Sequence, residues 1–331
     1  MTTKLRLSIA IGDYDRNRPL IDGTVPIDGV EPIVMTLSPE EIFFRAMRHE
    51  AFDVCELSLS SFVLRTARGD CPYVGIPAFV SRAFRHTSII VRSDRGIRTP
   101  QDLKGRRVGT PEWQLTANVW TRALLEEDYG VKPSDIRWLR GGLEEPGRLE
   151  KLAVALPAGV VLDDIGSEQT LNAMLQAGEI DAFIGPRAPS AFCPSNKTLC
   201  WLFEDPTQEA MNYFRRTRIF PIMHLVGVRR SIVERQPWLP MALLKAFESS
   251  KRLALQSLAD TSATKVALPF VEEQLRRAHS LMGEDFWPYG LPANRHVLEA
   301  FLKHHHAQGI SSRVVGVEEL FHPASIESHR I

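Results

Sequence analysis

The sequence predicts an α/β fold built as two interrupted lobes with a ligand cleft between them. Short apolar strand-like runs alternate with amphipathic helical stretches through the first two-thirds of the chain, the pattern of largely parallel sheets flanked by helices. A helix-then-strand unit also recurs. Pro39 to Ala51 leads into Phe52-Asp53-Val54, and a helix with core positions Leu171, Met174 and Leu175 leads into Ile180-Asp181-Ala182, so the second half echoes the first. Finally, the apolar run Phe220 to Val228 reads as a strand returning to the first lobe, followed by amphipathic helices at Trp238 to Leu258 and Asn294 to Gln308.

Taken in order, Leu5 to Ile11 alternates into a first strand. Gly12-Asp13-Tyr14-Asp15-Arg16 closes it with more charge than a turn requires. Pro39 to Ala51 sets Phe43, Met47 and Ala51 on one helical face. Phe52 to Leu57 is a short strand whose end, Ser58-Leu59-Ser60-Ser61, opens another helix. Ser81-Arg82-Ala83-Phe84-Arg85-His86 reads as an extended lead into a strand at Ser88 to Val91, with Arg82, Phe84 and His86 on one face. Arg106 to Gly109 enters the helix Leu115 to Glu127, which Gly130 ends. Ser167 caps the helix of Leu171, Gly178 closes it, and Ile180 to Ile184 is the strand beyond. The expected lobes are residues 1–92 plus 225–331, carrying the C-terminal helices, and residues 93–224. A chain so divided takes its ligand at the carboxyl ends of strands and amino ends of helices.

Composition narrows the function. The 331 residues balance 40 basic against 40 acidic side chains, which argues against a nucleic-acid binder needing surplus positive charge. The nearly apolar run Ala153 to Leu162 is interrupted by Pro157 and too short to span a bilayer, so no membrane role is expected. Lys4 and Arg6 interleave with Leu5 and Leu7 as a strand does, not as a secretory leader does, so the expected location is the cytoplasm. Cys55, Cys71, Cys193 and Cys200 form no C-x-x-C pair and read as free thiols.

Several segments carry candidate chemistry. Glu56-Leu57-Ser58-Leu59-Ser60-Ser61 offers hydroxyls and helix-terminal N–H groups to a carboxylate or phosphate, although capping by Ser58 explains part of it. Thr110-Pro111-Glu112-Trp113-Gln114-Leu115-Thr116 repeats that geometry, with Gly109 giving close backbone approach. Arg82 and His86 beside an aromatic suit an anion and a proton, or else form a basic edge. His224, inside the apolar return strand, reads equally as a core histidine or a site residue. Glu144-Glu145-Pro146-Gly147-Arg148 reads as a helix start. His304, His305 and His306 point in different directions on a helix, which disfavours a shared metal. H-E-x-x-H, P-loop, G-x-G-x-x-G and G-x-S-x-G motifs are absent.

The blocks Asp13-Tyr14-Asp15-Arg16, Glu56 to Ser61, Ser81 to His86, Gly109 to Gln114, Gly141 to Arg148, Gly178 to Ala182, Phe220 to His224 and Asp285-Phe286-Trp287-Pro288-Tyr289-Gly290 resemble the 4,5-dihydroxyphthalate decarboxylase family, nearly end to end and in order. The resemblance implies a type 2 periplasmic-binding-protein-like fold. It also implies loss of one carboxylate from 4,5-dihydroxyphthalate, or a close hydroxylated aromatic acid, to give 3,4-dihydroxybenzoate and carbon dioxide without an organic cofactor. Such chemistry needs cations for two carboxylates, a base for the phenol para to the departing group, and an acid for the ipso carbon.

On that reading Arg16 and Arg82 hold the carboxylates, assisted by Ser58, Ser60 and Ser61, with Gln114 and Thr116 lining the substrate. His86 is the expected general acid, because histidine titrates near 6.5, and Glu112 or His224 takes the phenol proton. A divalent metal held by His86, His224, Glu56 and Glu112 is the second reading, since catechol oxygens chelate such ions. The competing class is a non-catalytic cytoplasmic binding or sensor protein for an aromatic acid. The partner is a small aromatic dicarboxylate in either case, and a homo-oligomer is compatible with the sequence.

Overall fold

A computed structural model describes residues 4–326. Its strands are β1 (Leu5–Ile11), β2 (Val30–Thr36), β3 (Val54–Ser58), β4 (Tyr73–Arg82), β5 (Ile89–Arg92), β6 (Arg107–Thr110), β7 (Arg137–Arg140), β8 (Val161–Asp164), β9 (Ala182–Ile184), β10 (Leu199–Trp201) and β11 (Ile222–Arg229). They form a five-stranded sheet in the order β2-β1-β3-β11-β4 and a six-stranded sheet in the order β10-β5-β9-β6-β7-β8. The chain divides into two compact units, one around each sheet. Unit 1 runs up to Arg82, then Ile222–Glu299 and from Val315 onward; unit 2 is Ala83–Pro221 with Ala300–Val314.

In unit 1, β1 pairs in parallel with β2 and β3, while β11 lies antiparallel between β3 and β4. β1 buries Leu7, Ile9 and Ile11 on alternate positions, which is the alternation read from the sequence. β3 is buried along its whole length, as a central strand requires. The helix Pro39–His49 presents Ile42, Phe43, Ala46 and Met47 to the core, and Ser38 caps it through the Glu41 N–H. In unit 2, β6 runs parallel to β7 and β9, and β5 antiparallel to β9 and β10.

The echo between the halves has a physical basis. Asp53, just before β3, accepts the Ser8 N–H of β1 at 2.8 Å, and Asp181, just before β9, accepts the Arg107 N–H of β6 at 2.9 Å. Each aspartate ties a strand to its parallel neighbour, so the same residue recurs at the same place.

Some expectations change. Thr170, not Ser167, caps the helix Leu171–Ala177, because its hydroxyl accepts the Ala173 N–H. Gly109 serves packing: a Cβ there would stand 2.7 Å from Ile180 Cδ1 and 2.9 Å from Leu171 Cδ2. Glu144 starts no helix; its carboxylate holds Ser190 and Asn172 instead. Ala83–Arg92 and Ala300–Val314 belong to unit 2, so the strand β5 and the end of the helix Arg295–Ala307 pack there. Among the described residues no helix is long and apolar enough to cross a membrane.

Candidate active site

One edge of the unit 1 sheet collects the carboxyl ends of β1, β3 and β4 and the start of antiparallel β11. There His224 lies opposite both Ser58 and Ser81. Glu56 of β3 is fully buried. Its carboxylate accepts the Gly12 N–H and the Tyr14 hydroxyl, each at 2.9 Å, and meets His224 Nδ1 at 2.6 Å. Burial alone would raise this carboxyl group, but the bond and charge of His224, the Gly12 amide and the Tyr14 hydroxyl outweigh it and hold Glu56 below its ordinary value. An ionised carboxylate only accepts, so His224 Nδ1 carries a proton and Nε2 is the nitrogen not engaged by Glu56. The Phe43 ring meets the imidazole edge-on at 4.8 Å. At Gly12 a Cβ would lie 2.4 Å from Tyr14 Cζ, so any side chain there would push Tyr14 off the carboxylate.

Arginines flank this pair. The Arg16 guanidinium lies between the rings of Tyr14 (4.5 Å) and Trp287 (4.3 Å), and its Nε donates to the Val80 carbonyl at 2.6 Å. Trp287 is itself fixed by its indole N–H on the Phe79 carbonyl. Arg82, at the end of β4, is buried and donates to the Pro288 carbonyl and to Asn294 Oδ1. Ser58, Ser60 and Ser61 are buried at the start of the helix Leu59–Arg68. Ser58 holds the N-cap position, yet its hydroxyl makes no cap bond, so capping does not account for it. Arg16, Ser58, Ser60, Ser61, Arg82 and His224 thus share this edge of unit 1 with Glu56.

The remaining candidates lie in unit 2. Glu112 is buried, and its carboxylate accepts Arg148 Nε at 2.8 Å, Arg148 Nη2 at 2.6 Å and Lys151 Nζ at 3.1 Å. Gln114 is buried beside it. With its amide turned to match its donors, the oxygen accepts the Lys151 and Leu152 N–H groups, so Gln114 anchors the loop 148–152. Glu150 returns the tie by accepting the Trp113 and Gln114 N–H groups. Thr116 is the first residue of the helix Thr116–Tyr129 and is buried.

His86 shares no strand face with Arg82. β4 ends at Arg82, the unit boundary follows at once, and His86–Ser88 is a 3₁₀ turn. Its ring is buried against Phe203 and Tyr213, with centroids at 5.4 and 5.7 Å. Neither ring nitrogen has a hydrogen-bond partner among the described residues. Burial pushes its pKa down to about 4, which leaves it neutral near pH 7.

The three adjacent histidines diverge: His304 faces Glu127, His305 faces Ser311 Oγ, and His306 faces the Ser311 carbonyl. Among the described residues, no group of three or more His, Cys, Asp or Glu is placed to hold a metal ion.

Comparison with known proteins places this chain. It is 58% identical over 329 residues to 4,5-dihydroxyphthalate decarboxylase of Comamonas testosteroni, covering 99% of this chain and 100% of that one. The chain belongs to the 4,5-dihydroxyphthalate decarboxylase family. A relative of the same description from Pseudomonas putida is 57% identical over 212 residues, 64% of this chain and 82% of that one. Residues 49–146 match the family described as NMT1/THI5 like. Among solved structures, the periplasmic aliphatic sulphonate binding protein SsuA from Escherichia coli aligns with a TM-score of 0.53 at 16% identity, over 98% of this chain and 95% of that one. A ligand-binding component of an ABC-type import system from Staphylococcus aureus aligns at 0.51 and 8% identity, over 98% of each chain. These establish the fold, that of periplasmic binding proteins.

Sequence reasoning reaches Tyr14 only as part of the charged loop 12–16, gives no site role to Trp287 or Asn294, and names Glu56 only as a metal ligand. Tyr14 and Trp287 stood in quoted motifs, but nothing local shows that their rings close on Arg16. Asn294 reads locally only as the start of a helix.

Proposed function

We propose that this chain removes one carboxylate from 4,5-dihydroxyphthalate, giving 3,4-dihydroxybenzoate and carbon dioxide, with His224 as the proton-transfer group and Glu56 fixing its tautomer. The observation that carries the reading is the Glu56–His224 pair, 2.6 Å apart, in a chain 58% identical to a decarboxylase of that description. His224 Nε2 takes the proton of the ring hydroxyl para to the departing carboxylate, and the buried Glu56 carboxylate stabilises the imidazolium that forms. Electron density moves through the ring to the ipso carbon, which takes a proton from solvent water, the one proton that the overall reaction consumes. Carbon dioxide then leaves with the ring regaining aromaticity, and the phenolate recovers its proton from His224. Arg16 and Arg82 hold the two carboxylates, assisted by the serines at the start of the helix Leu59–Arg68. In this assignment His86, neutral and packed in apolar surroundings, gives no proton at pH 7, and Glu112 anchors the loop of Arg148 and Lys151.

No metal or organic cofactor is assigned. Glu56 spends both oxygens on Gly12, Tyr14 and His224, which leaves His224 Nε2 as the one open nitrogen of the pair, and among the described residues no further His, Cys, Asp or Glu groups with it to complete a metal site. A cytoplasmic setting is part of the proposal, supported by the buried unbridged thiols Cys55 and Cys71.

The test is turnover. Protein mixed with 4,5-dihydroxyphthalate is expected to release carbon dioxide and 3,4-dihydroxybenzoate, and His224→Gln to lose about 10²- to 10⁴-fold in kcat. Binding without turnover would replace the decarboxylase by a sensor. A His224→Gln variant within a few-fold of the parent would take His224 out of the chemistry.

A further inference from the structure

Unit 1 contains three tyrosines, and two of them spend their hydroxyls inside the protein. Tyr14 donates to Glu56, and Tyr73 donates to the Phe52 carbonyl at 3.0 Å. Tyr289 does not. It is 8% exposed, and its hydroxyl is buried with no hydrogen-bond partner among the described residues. A buried hydroxyl left unpaired destabilises a fold, so its retention calls for an explanation.

The position of this ring is tightly set. Gly290, in the left-handed region at φ 80°, donates its N–H to the Pro77 carbonyl at 2.8 Å, and the Asn294 amide bonds the carbonyls on either side, Pro288 and Gly290. Lys251 donates to the Trp287 carbonyl at 3.0 Å and stands 4.7 Å from the Tyr289 ring centre. The segment that carries it is tied to the site already described: Arg82 donates to the carbonyl of Pro288, the residue before Tyr289, and Trp287, two residues before, stacks on the Arg16 guanidinium. Both arginines are those assigned to carboxylates. A neutral O–H donor in that company orients an anionic oxygen without adding charge.

We infer that Tyr289 is a substrate-contacting residue whose hydroxyl donates a hydrogen bond to a carboxylate oxygen of the aromatic dicarboxylate. The inference rests on the proposed decarboxylase reading and adds a specificity residue to it.

The test uses the full chain, the variant Tyr289→Phe and two probes measured by calorimetry. Phthalate has both carboxylates and no ring hydroxyl; catechol has the hydroxyls and no carboxylate. Tyr289→Phe is expected to bind phthalate roughly 10- to 100-fold more weakly, the loss of one hydrogen bond to a charged group, with catechol binding unchanged. Its urea midpoint is expected to match or exceed the parent's, because no internal bond is lost; a structural tyrosine would show the opposite. Unchanged phthalate affinity, a loss confined to catechol, or a parent protein that does not bind phthalate would each overturn the inference. If the parent binds phthalate but never decarboxylates 4,5-dihydroxyphthalate, the decarboxylase reading fails while the phthalate comparison still decides the role of Tyr289.

Discussion

Glu56→Gln changes one atom at the centre of the site and almost no volume. The carboxylate serves three donors: Gly12 N–H on one oxygen, Tyr14 O–H and His224 Nδ1–H on the other. A glutamine amide has one acceptor oxygen and one NH₂. With the NH₂ toward Gly12, two donors face each other and a buried N–H loses its partner, at about 1–3 kcal/mol. With the NH₂ toward His224, Nδ1 must accept, the proton moves to Nε2, and the base is lost. Both outcomes damage function, so we expect kcat to fall about 10²- to 10⁴-fold and stability at pH 7 to fall by about 1–3 kcal/mol. The pH dependence follows from the sign of the shift. Glu56 is held below its ordinary value of 4.5 in the fold, so its stabilisation is present above that value and is lost as pH falls through the folded value. Urea titrations at pH 7 and below pH 4.5 should show a smaller acid loss in the variant than in the parent. A folded Glu56→Gln protein with kcat within three-fold of the parent would refute this account of His224.

Two further outcomes are expected. His86 has its pKa lowered to about 4 from 6.5, so the unfolded chain takes up this proton first as pH falls, and about 3 kcal/mol of stability is lost between those values; His86→Leu should remove that loss, and an unchanged slope of urea midpoint against pH would contradict it. Dialysis against a chelator should leave turnover within two-fold, whereas loss of activity restored by one particular divalent ion would reinstate a metal.

Much of the fold was legible because it rests on short-range pattern. Alternation places β1 at Leu5–Ile11, and the helix Leu239–Leu258 begins one residue inside the stretch expected from its periodicity. The two aspartates signalled the paired halves because each does the same local job on a neighbouring strand. What failed to read locally was the edge strand β2, whose Val30–Thr36 is mostly exposed and contains Pro32, so neither apolar alternation nor a buried run marks it.

The histidines show where such reading stops. An extended 82–86 would have put His86 on the same face as Arg82, and the alternation rule holds only while the strand lasts. It ends at Arg82, and the chain passes there from one unit to the other. His224, by contrast, gave no local signal: its neighbours Met223 and Leu225 are buried apolar residues, and its partner Glu56 is 168 residues away. Yet the pairing is over-determined. β11 lies antiparallel to β3, that register sets His224 across from Ser58, two residues beyond Glu56, and the buried Glu56 then needs donors that Gly12 and Tyr14 alone do not exhaust. A histidine chosen by its sequence neighbours becomes a packed neutral ring, and the one chosen by the charge that it must satisfy across the sheet is the one to which proton transfer is proposed.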